Sequence, residues 1–180
     1  PTKYVLDAAP SVQVQLGSQD PATQQRGYRA LLELQAHVGV PANKQTVFTK
    51  DRADAFSGAL LAGSPDQAVG TLKAVTAGMT APQLQIAARQ IAPKNRAFGM
   101  AVSAASADPA TAANLIIGER YLLANPDAKP DDSKSVAAFD SATAASSGWF
   151  SSTGGLFEFA PDARANALAA SDALYARSMI

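Results

Sequence analysis

Residues 63–91 read GSPDQAVGTLKAVTAGMTAPQLQIAARQI, and they carry the same helix-opening device twice. In Ser64-Pro65-Asp66-Gln67 and again in Thr80-Ala81-Pro82-Gln83, a hydroxyl residue stands three positions before a glutamine. The hydroxyl can accept from an amide of the first helical turn while the glutamine reaches back, forming a capping box. Proline in that turn costs nothing, because its missing N–H would have no intrahelical partner. After each box the apolar spacing is helical: Val69, Leu72 and Val75, then Leu84, Ala87, Ala88 and Ile91. Two short helices, one after the other, set the pattern for the whole chain.

Working outward, Asp20-Pro21 and Asp108-Pro109 repeat the start signal, and Ala160-Pro161-Asp162 is a weaker version. Gly39, Gly63 and Gly78 follow apolar runs as helix C-terminal glycines, while Pro93 and Asn125-Pro126 cannot continue a helix. Tyr28, Leu31, Leu32 and Val38 share a helical face. Further helices are expected near 52–62, 94–106, 109–124, 132–145 and 161–178, the last with a stripe of Leu168, Leu174, Tyr175 and Met179. Leu115, Ile116, Leu122 and Leu123 are the densest set of large apolar residues, so their helix is predicted to be the centre of the core. Glu119 and Arg120 lie between them and are expected to face a partner surface.

Val12-Gln13-Val14-Gln15-Leu16 is the one alternating segment, a short strand or part of an extended arm, and residues 1–19 are read as an extended arm or linker. Residues 40–50 read as an irregular connection, and 141–155 as a flexible linker or, in preference, a loop pinned by Trp149-Phe150. The resulting expectation is an all-α fold of seven to nine short helices. They form an irregular bundle or array over 20–180, with no repeat of fixed period. The chain opens at Pro1 without a basic and apolar leader and is expected to be a segment of a longer polypeptide.

Composition narrows the function. Hydrophobic residues make up 47% of the 180 positions, but 40 of them are alanine. Alanine lets helix axes approach and has the highest helix propensity, at the cost of less buried area per residue. Fifteen basic residues balance fifteen acidic ones, which leaves no net attraction to phosphate backbones or anionic membranes. No apolar run reaches the roughly 18 residues a membrane span needs. With no cysteine and one histidine, thiolate chemistry and two-histidine metal sites are excluded.

Few residues invite a chemical role. His37 lies four positions after Glu33, a spacing that places both on one helix face, and reads as an ordinary surface contact. A lytic enzyme would need a carboxylic acid in a shaped cleft, and the candidates are Glu119 and Glu158, the latter in Leu156-Phe157-Glu158-Phe159. Arg89, Lys94 and Arg96 are the densest basic cluster and read as a solvated helix corner. Asp131-Asp132 reads as the acidic first turn of a helix. No phosphate-binding glycine loop is present. No catalytic, cofactor or metal residue is therefore assigned.

The second half of the chain carries a resemblance. Gly118-Glu119-Arg120-Tyr121-Leu122-Leu123-Ala124-Asn125-Pro126 follows Asp108-Pro109 and an alanine-rich helix. It precedes an acidic helix ending near Phe139 and a final helix from Pro161 to Ala176. Phe48-Thr49-Lys50-Asp51-Arg52-Ala53-Asp54-Ala55-Phe56 and Gly63-Ser64-Pro65-Asp66 add to it upstream. Together, over about 46–178, these segments resemble an internal helical region of large bacteriophage virion proteins. Those are the internal core (ejection) or tape-measure-like polypeptides, which often carry a lytic transglycosylase domain elsewhere. The resemblance implies a non-enzymatic structural role in genome delivery and a place in the virion, with passage to the host envelope after ejection. It implies other virion proteins, further copies of this chain or the rest of one long chain as partners. It implies no functional residue, and the neutral charge predicts no specific nucleic-acid site. The alternatives are a fragment of a peptidoglycan-cleaving enzyme and a helical scaffold domain of a cellular protein.

Overall fold

The punctuation of the sequence becomes helix ends in the structure. The computed structural model describes residues 2–129 and 163–180. Among them are nine α-helices and no strand, so the fold is all-α. In chain order they are α1 (Thr2–Ala8), α2 (Pro10–Leu16), α3 (Pro21–His37), α4 (Lys50–Leu61) and α5 (Pro65–Thr76). Then follow α6 (Ala81–Ile91), α7 (Arg96–Ala104), α8 (Pro109–Ala124) and α9 (Ala163–Ser178). Short 3-10 turns occupy Ala42–Lys44 and Pro126–Ala128.

The caps explain the starts. Ser64 Oγ accepts from the Gln67 amide while Gln67 Oε1 accepts from the Ser64 amide, at 3.2 and 2.8 Å. At α6, Gln83 Oε1 accepts from the Thr80 amide at 2.8 Å. Asp20, Asn95 and Asp108 each accept from first-turn amides of their helices. Among the predicted stops, Gly39 and Gly63 take φ of +81° and +65°, the left-handed conformation that ends a helix cheaply only at glycine. Gly78 does not. It is needed for close approach instead, since a Cβ there would meet the Pro21 carbonyl at 2.9 Å.

Residues 1–19 are not an extended arm. Of the described ones, Thr2–Ala8 and Pro10–Leu16 form α1 and α2, which pack on each other and on α3. Val12 and Leu16 are buried and Val14 is exposed, so the alternating pattern is satisfied by a helix in which positions i and i+4 share a face. Pro10 opens that helix at its first position.

The centre of the core is α7, not α8. All eight residues from Ala97 to Ala104 are buried, a helix enclosed on every side. Ala97, Gly99, Ala101, Ser103 and Ala104 leave room for α6, α8 and α9 to close around Phe98, Met100 and Val102. In α8, Ala112, Leu115, Ile116 and Gly118 are buried, Leu122 is half-buried and Leu123 is 52% exposed. The stripe predicted for the last helix is displaced in the same way. Ala170, Ala173 and Ala176 form its buried line, while Leu168, Leu174 and Tyr175 flank it and Met179 is exposed. Val38 also lies in solvent rather than beside Tyr28 and Leu31. The expected helix at 132–145 and the loop around Trp149-Phe150 lie outside the described residues.

Candidate functional site

The segment Gly118–Pro126 sits where α8 meets α9 on one side and the α4–α5 corner on the other. Gly118 faces Ala173, and Asn114 accepts from Arg177 Nε at 3.4 Å, so the two helices run antiparallel. A Cβ at Gly118 would collide with the Ala173 carbonyl, which makes this the closest helix approach on which the fold depends for glycine. No comparable clash with backbone arises at Gly58 or Gly70, where a Cβ would meet open space.

Next to that contact lies a partly buried polar cluster. Asn95 caps α7 by accepting from the Phe98 amide at 2.9 Å through Oδ1. Its Nδ2 must therefore point the other way, and it donates to Glu119 Oε1 at 2.6 Å. Asp172 on α9 is 6% exposed and pairs with Lys129 at 3.3 Å. Burial pushes the Glu119 carboxyl above its usual value of 4.5, and the nearby Asp172 charge adds to the rise. The Asn95 hydrogen bond and the Lys129 charge act in the opposite direction. Chemically, this arrangement can hold a proton on Glu119 at a pH where an exposed glutamate has lost it.

Arg120 turns away from the cluster. Its guanidinium donates to the carbonyls of Leu60, Ala62 and Gly63 at 2.7, 3.1 and 2.5 Å, closing the C-terminus of α4. A cation there also meets the negative end of the helix dipole. Asn125 ends α8, its amide and its Nδ2 both reaching the Tyr121 carbonyl at 2.9 Å. Glu119 and Arg120 are thus both half-buried and engaged within the fold.

The remaining sequence candidates do not converge. Glu33 and His37 are both exposed on α3. Arg89, Lys94 and Arg96 are spread over the end of α6, the turn and the start of α7, and Lys94 is ion-paired with Asp54. Glu158 and Asp131-Asp132 lie outside the described residues. Among the described residues no group of three or more His, Asp or Glu is placed to hold a metal ion. No described helix is long and apolar enough to cross a membrane.

Two tethers escaped the sequence reading. Gln35 and Gln90 hold the 46–48 connection by its backbone. Gln90 Oε1 accepts from the Val47 and Phe48 amides and its Nε2 donates to the Phe48 carbonyl, all within 3.0 Å. Asn95 had a signal, standing just before a helical run as a capping residue would. Asp172 had none beyond its place in the alanine line of α9. No protein-family model, no curated protein and no solved structure matches this chain.

Proposed function

We propose that this chain is a non-enzymatic structural and interaction module of a bacteriophage virion protein, an internal (ejection or core) or tail component that takes part in genome delivery. One observation carries the non-enzymatic part of the reading: the segment that bears the resemblance does architectural work. Gly118 admits α9, Arg120 closes α4, and Asn125 ends α8. Such a segment is constrained by helix packing rather than by a reaction. The virion part rests on the resemblance over about 46–178. Its partners on this reading are other virion proteins, further copies of this chain or the rest of one long polypeptide. Its locations are the particle and, after ejection, the host envelope.

The test is mass spectrometry of purified particles from a host producing the phage that encodes this chain. Peptides of this sequence at a stoichiometry fixed from particle to particle are expected; their absence overturns the reading.

A second reading, a peptidoglycan-cleaving fragment with Glu119 as general acid, is favoured by the partial burial that raises that carboxyl above its usual value. Clearing of purified cell walls by the wild-type chain, abolished in Glu119→Gln, would replace the first reading with this one.

A further inference from the structure

We infer that α1–α3 form a hinged cap, which opens as one unit from a body of α4–α9 that stays folded. The inference does not depend on a virion role. It begins with which helices approach one another. Among the described residues, the closest helix pairs lie either within α1–α3 or within α4–α9. In the body, small residues bring backbones together, as at Gly99 against Ala92 and Gly118 against Ala173. In the cap, Gly27 does the same for α3 against Gln15 and Leu16. Cap and body share one apolar core, to which α3 gives Tyr28 and Leu31, so the closed form is the resting one.

The strap Thr46-Val47-Phe48 shows where the two part. On the cap side, Gln35 binds the Thr46 amide and carbonyl, and Thr2 donates to the same carbonyl. On the body side, Gln90 binds the Val47 and Phe48 amides and the Phe48 carbonyl. Phe48 also packs on Phe56 of α4, ring centroids 5.6 Å apart, and Arg52 of α4 lies over its ring. Val47 and Phe48 therefore stay with the body. The parting plane runs between Thr46 and the side chains of Gln35 and Thr2. Those clasps are an amide and a hydroxyl, whose hydrogen bonds water replaces as the cap lifts.

The hinge is the chain over 38–44, exposed apart from Val40, with Gly39 at φ +81° and one 3-10 turn after Pro41. Towards the other end of α3, one group gains from opening. Gln24 lies close against Gly78 on the turn between α5 and α6, and its Oε1 is buried with no hydrogen-bond partner. Lifting the cap hydrates that oxygen and so lowers the cost of opening. The cap thus combines a replaceable clasp, an exposed hinge and a seam atom that prefers water. Opening as a unit short of global unfolding is the expected behaviour of such an element.

Native-state hydrogen exchange of the intact chain, followed amide by amide in urea below the unfolding transition, tests the cap. The readout is the amides of residues 31–35 in α3, which fraying from the helix ends does not reach, against those of α7. After correction for intrinsic rates, the α3 amides should exchange about tenfold faster or more, with a shallower urea dependence, because opening exposes only part of the surface. The double variant Gly58→Ala/Gly70→Ala strengthens the body through helix propensity. It should slow the α7 amides about tenfold and leave the α3 amides unchanged. Gln35→Ala should speed the α3 amides about tenfold or more. Matching rates and urea slopes for α3 and α7 overturn the cap. So does equal slowing of both sets in the double variant, since a chain that opens only as a whole passes each gain in stability to all its amides. Exchange in α3 unmoved by Gln35→Ala overturns it too, because opening would then not break the clasp. If the double variant moves neither set, or Gln35→Ala fails to fold, the wild-type rates and urea slopes decide alone.

Discussion

Gln35 exchanges two hydrogen bonds with the backbone of Thr46, donating from Nε2 to its carbonyl at 2.7 Å and accepting its amide on Oε1 at 2.9 Å. Gln35 is fully buried on α3, so its amide serves a non-helical connection as a neighbouring strand would. Thr2 Oγ1 also donates to the Thr46 carbonyl, at 2.9 Å, tying α1 to the same residue. Backbone groups that leave regular structure in a protein interior must find partners, and here side chains supply them.

Gln35→Ala removes both partners at once and leaves the Thr46 amide without one. Since an unsatisfied buried polar group costs about 1–3 kcal/mol, a loss of roughly 2–4 kcal/mol is expected in urea unfolding. Gln90→Ala should cost a similar amount. The two act on adjacent residues of one segment, so the double variant should fall short of their sum. A loss below about 1 kcal/mol for Gln35→Ala would mean that water takes over these hydrogen bonds.

Asp20 is expected to contribute to the acid limb of stability. Its carboxylate accepts from the Thr23 hydroxyl at 2.6 Å and from the Thr23 and Ala22 amides. The Thr23 hydroxyl is the largest cause holding its carboxyl below the usual 3.8. A group lowered in the folded state stabilises above its unfolded value and loses that contribution as pH falls through the folded one. Stability should therefore decline below about pH 3.8, with a shallower decline in Asp20→Asn, which keeps an N-cap acceptor and cannot titrate. An Asp20→Asn acid limb identical to wild type would place the acid sensitivity elsewhere.

What the sequence disclosed and what it hid follow from contact range. Caps are local, so Ser64-Gln67, Asp20-Pro21 and Asp108-Pro109 were readable as helix starts. The Gln35–Thr46 and Gln90–Phe48 tethers join residues 11 and 42 apart, and a glutamine carries no mark of where its amide will go. Side-chain bulk is a poor guide to the centre of this core. In an alanine-rich chain the most enclosed helix is the one whose small residues let neighbours in on all sides, which is α7. Glu119 was singled out as a carboxyl. Its environment was not readable, since Asn95, Lys129 and Asp172 reach it from three separate parts of the chain.

The same geometry ranks the leucines of α8. Leu115 is fully buried and Leu122 only half-buried. Leu115→Ala should cost about 2–5 kcal/mol, the range for truncating an enclosed leucine, whereas Leu122→Ala should cost about 1 kcal/mol. Urea unfolding of both in parallel checks the order. Equal losses would mean that the C-terminal half of α8 is covered more fully than the described residues account for.

Arg120 should not tolerate lysine. Three carbonyls from Leu60, Ala62 and Gly63 converge on two guanidinium nitrogens, and the planar fork reaches them together. Lysine keeps the charge but offers a single nitrogen on a flexible stem. Both Arg120→Lys and Arg120→Ala should therefore lower stability, by about 1–2 kcal/mol after allowance for partial exposure. Hydrogen exchange at the end of α4 should rise in both. Full retention of stability in Arg120→Lys would show that charge at the helix terminus, and not the fork, is what matters.

Glycines separate space from propensity most cleanly. Gly58 and Gly70 lie inside α4 and α5 with open space where a Cβ would go, so alanine at either should raise stability by about 0.5–1 kcal/mol through helix propensity alone. Gly118 is also inside a helix, and the same propensity gain applies there. Its Cβ, however, would strike the backbone carbonyl of Ala173, an atom that cannot rotate aside as a side chain would. Accommodation requires moving α9 as a whole, and α9 packs on α7 as well as α8. Overpacking of this kind costs about 1–3 kcal/mol, which exceeds the propensity gain and reverses the sign. Gly118→Ala should thus melt lower than wild type while Gly58→Ala and Gly70→Ala melt higher. A Gly118→Ala variant as stable as wild type would mean that α9 does not hold this close antiparallel position.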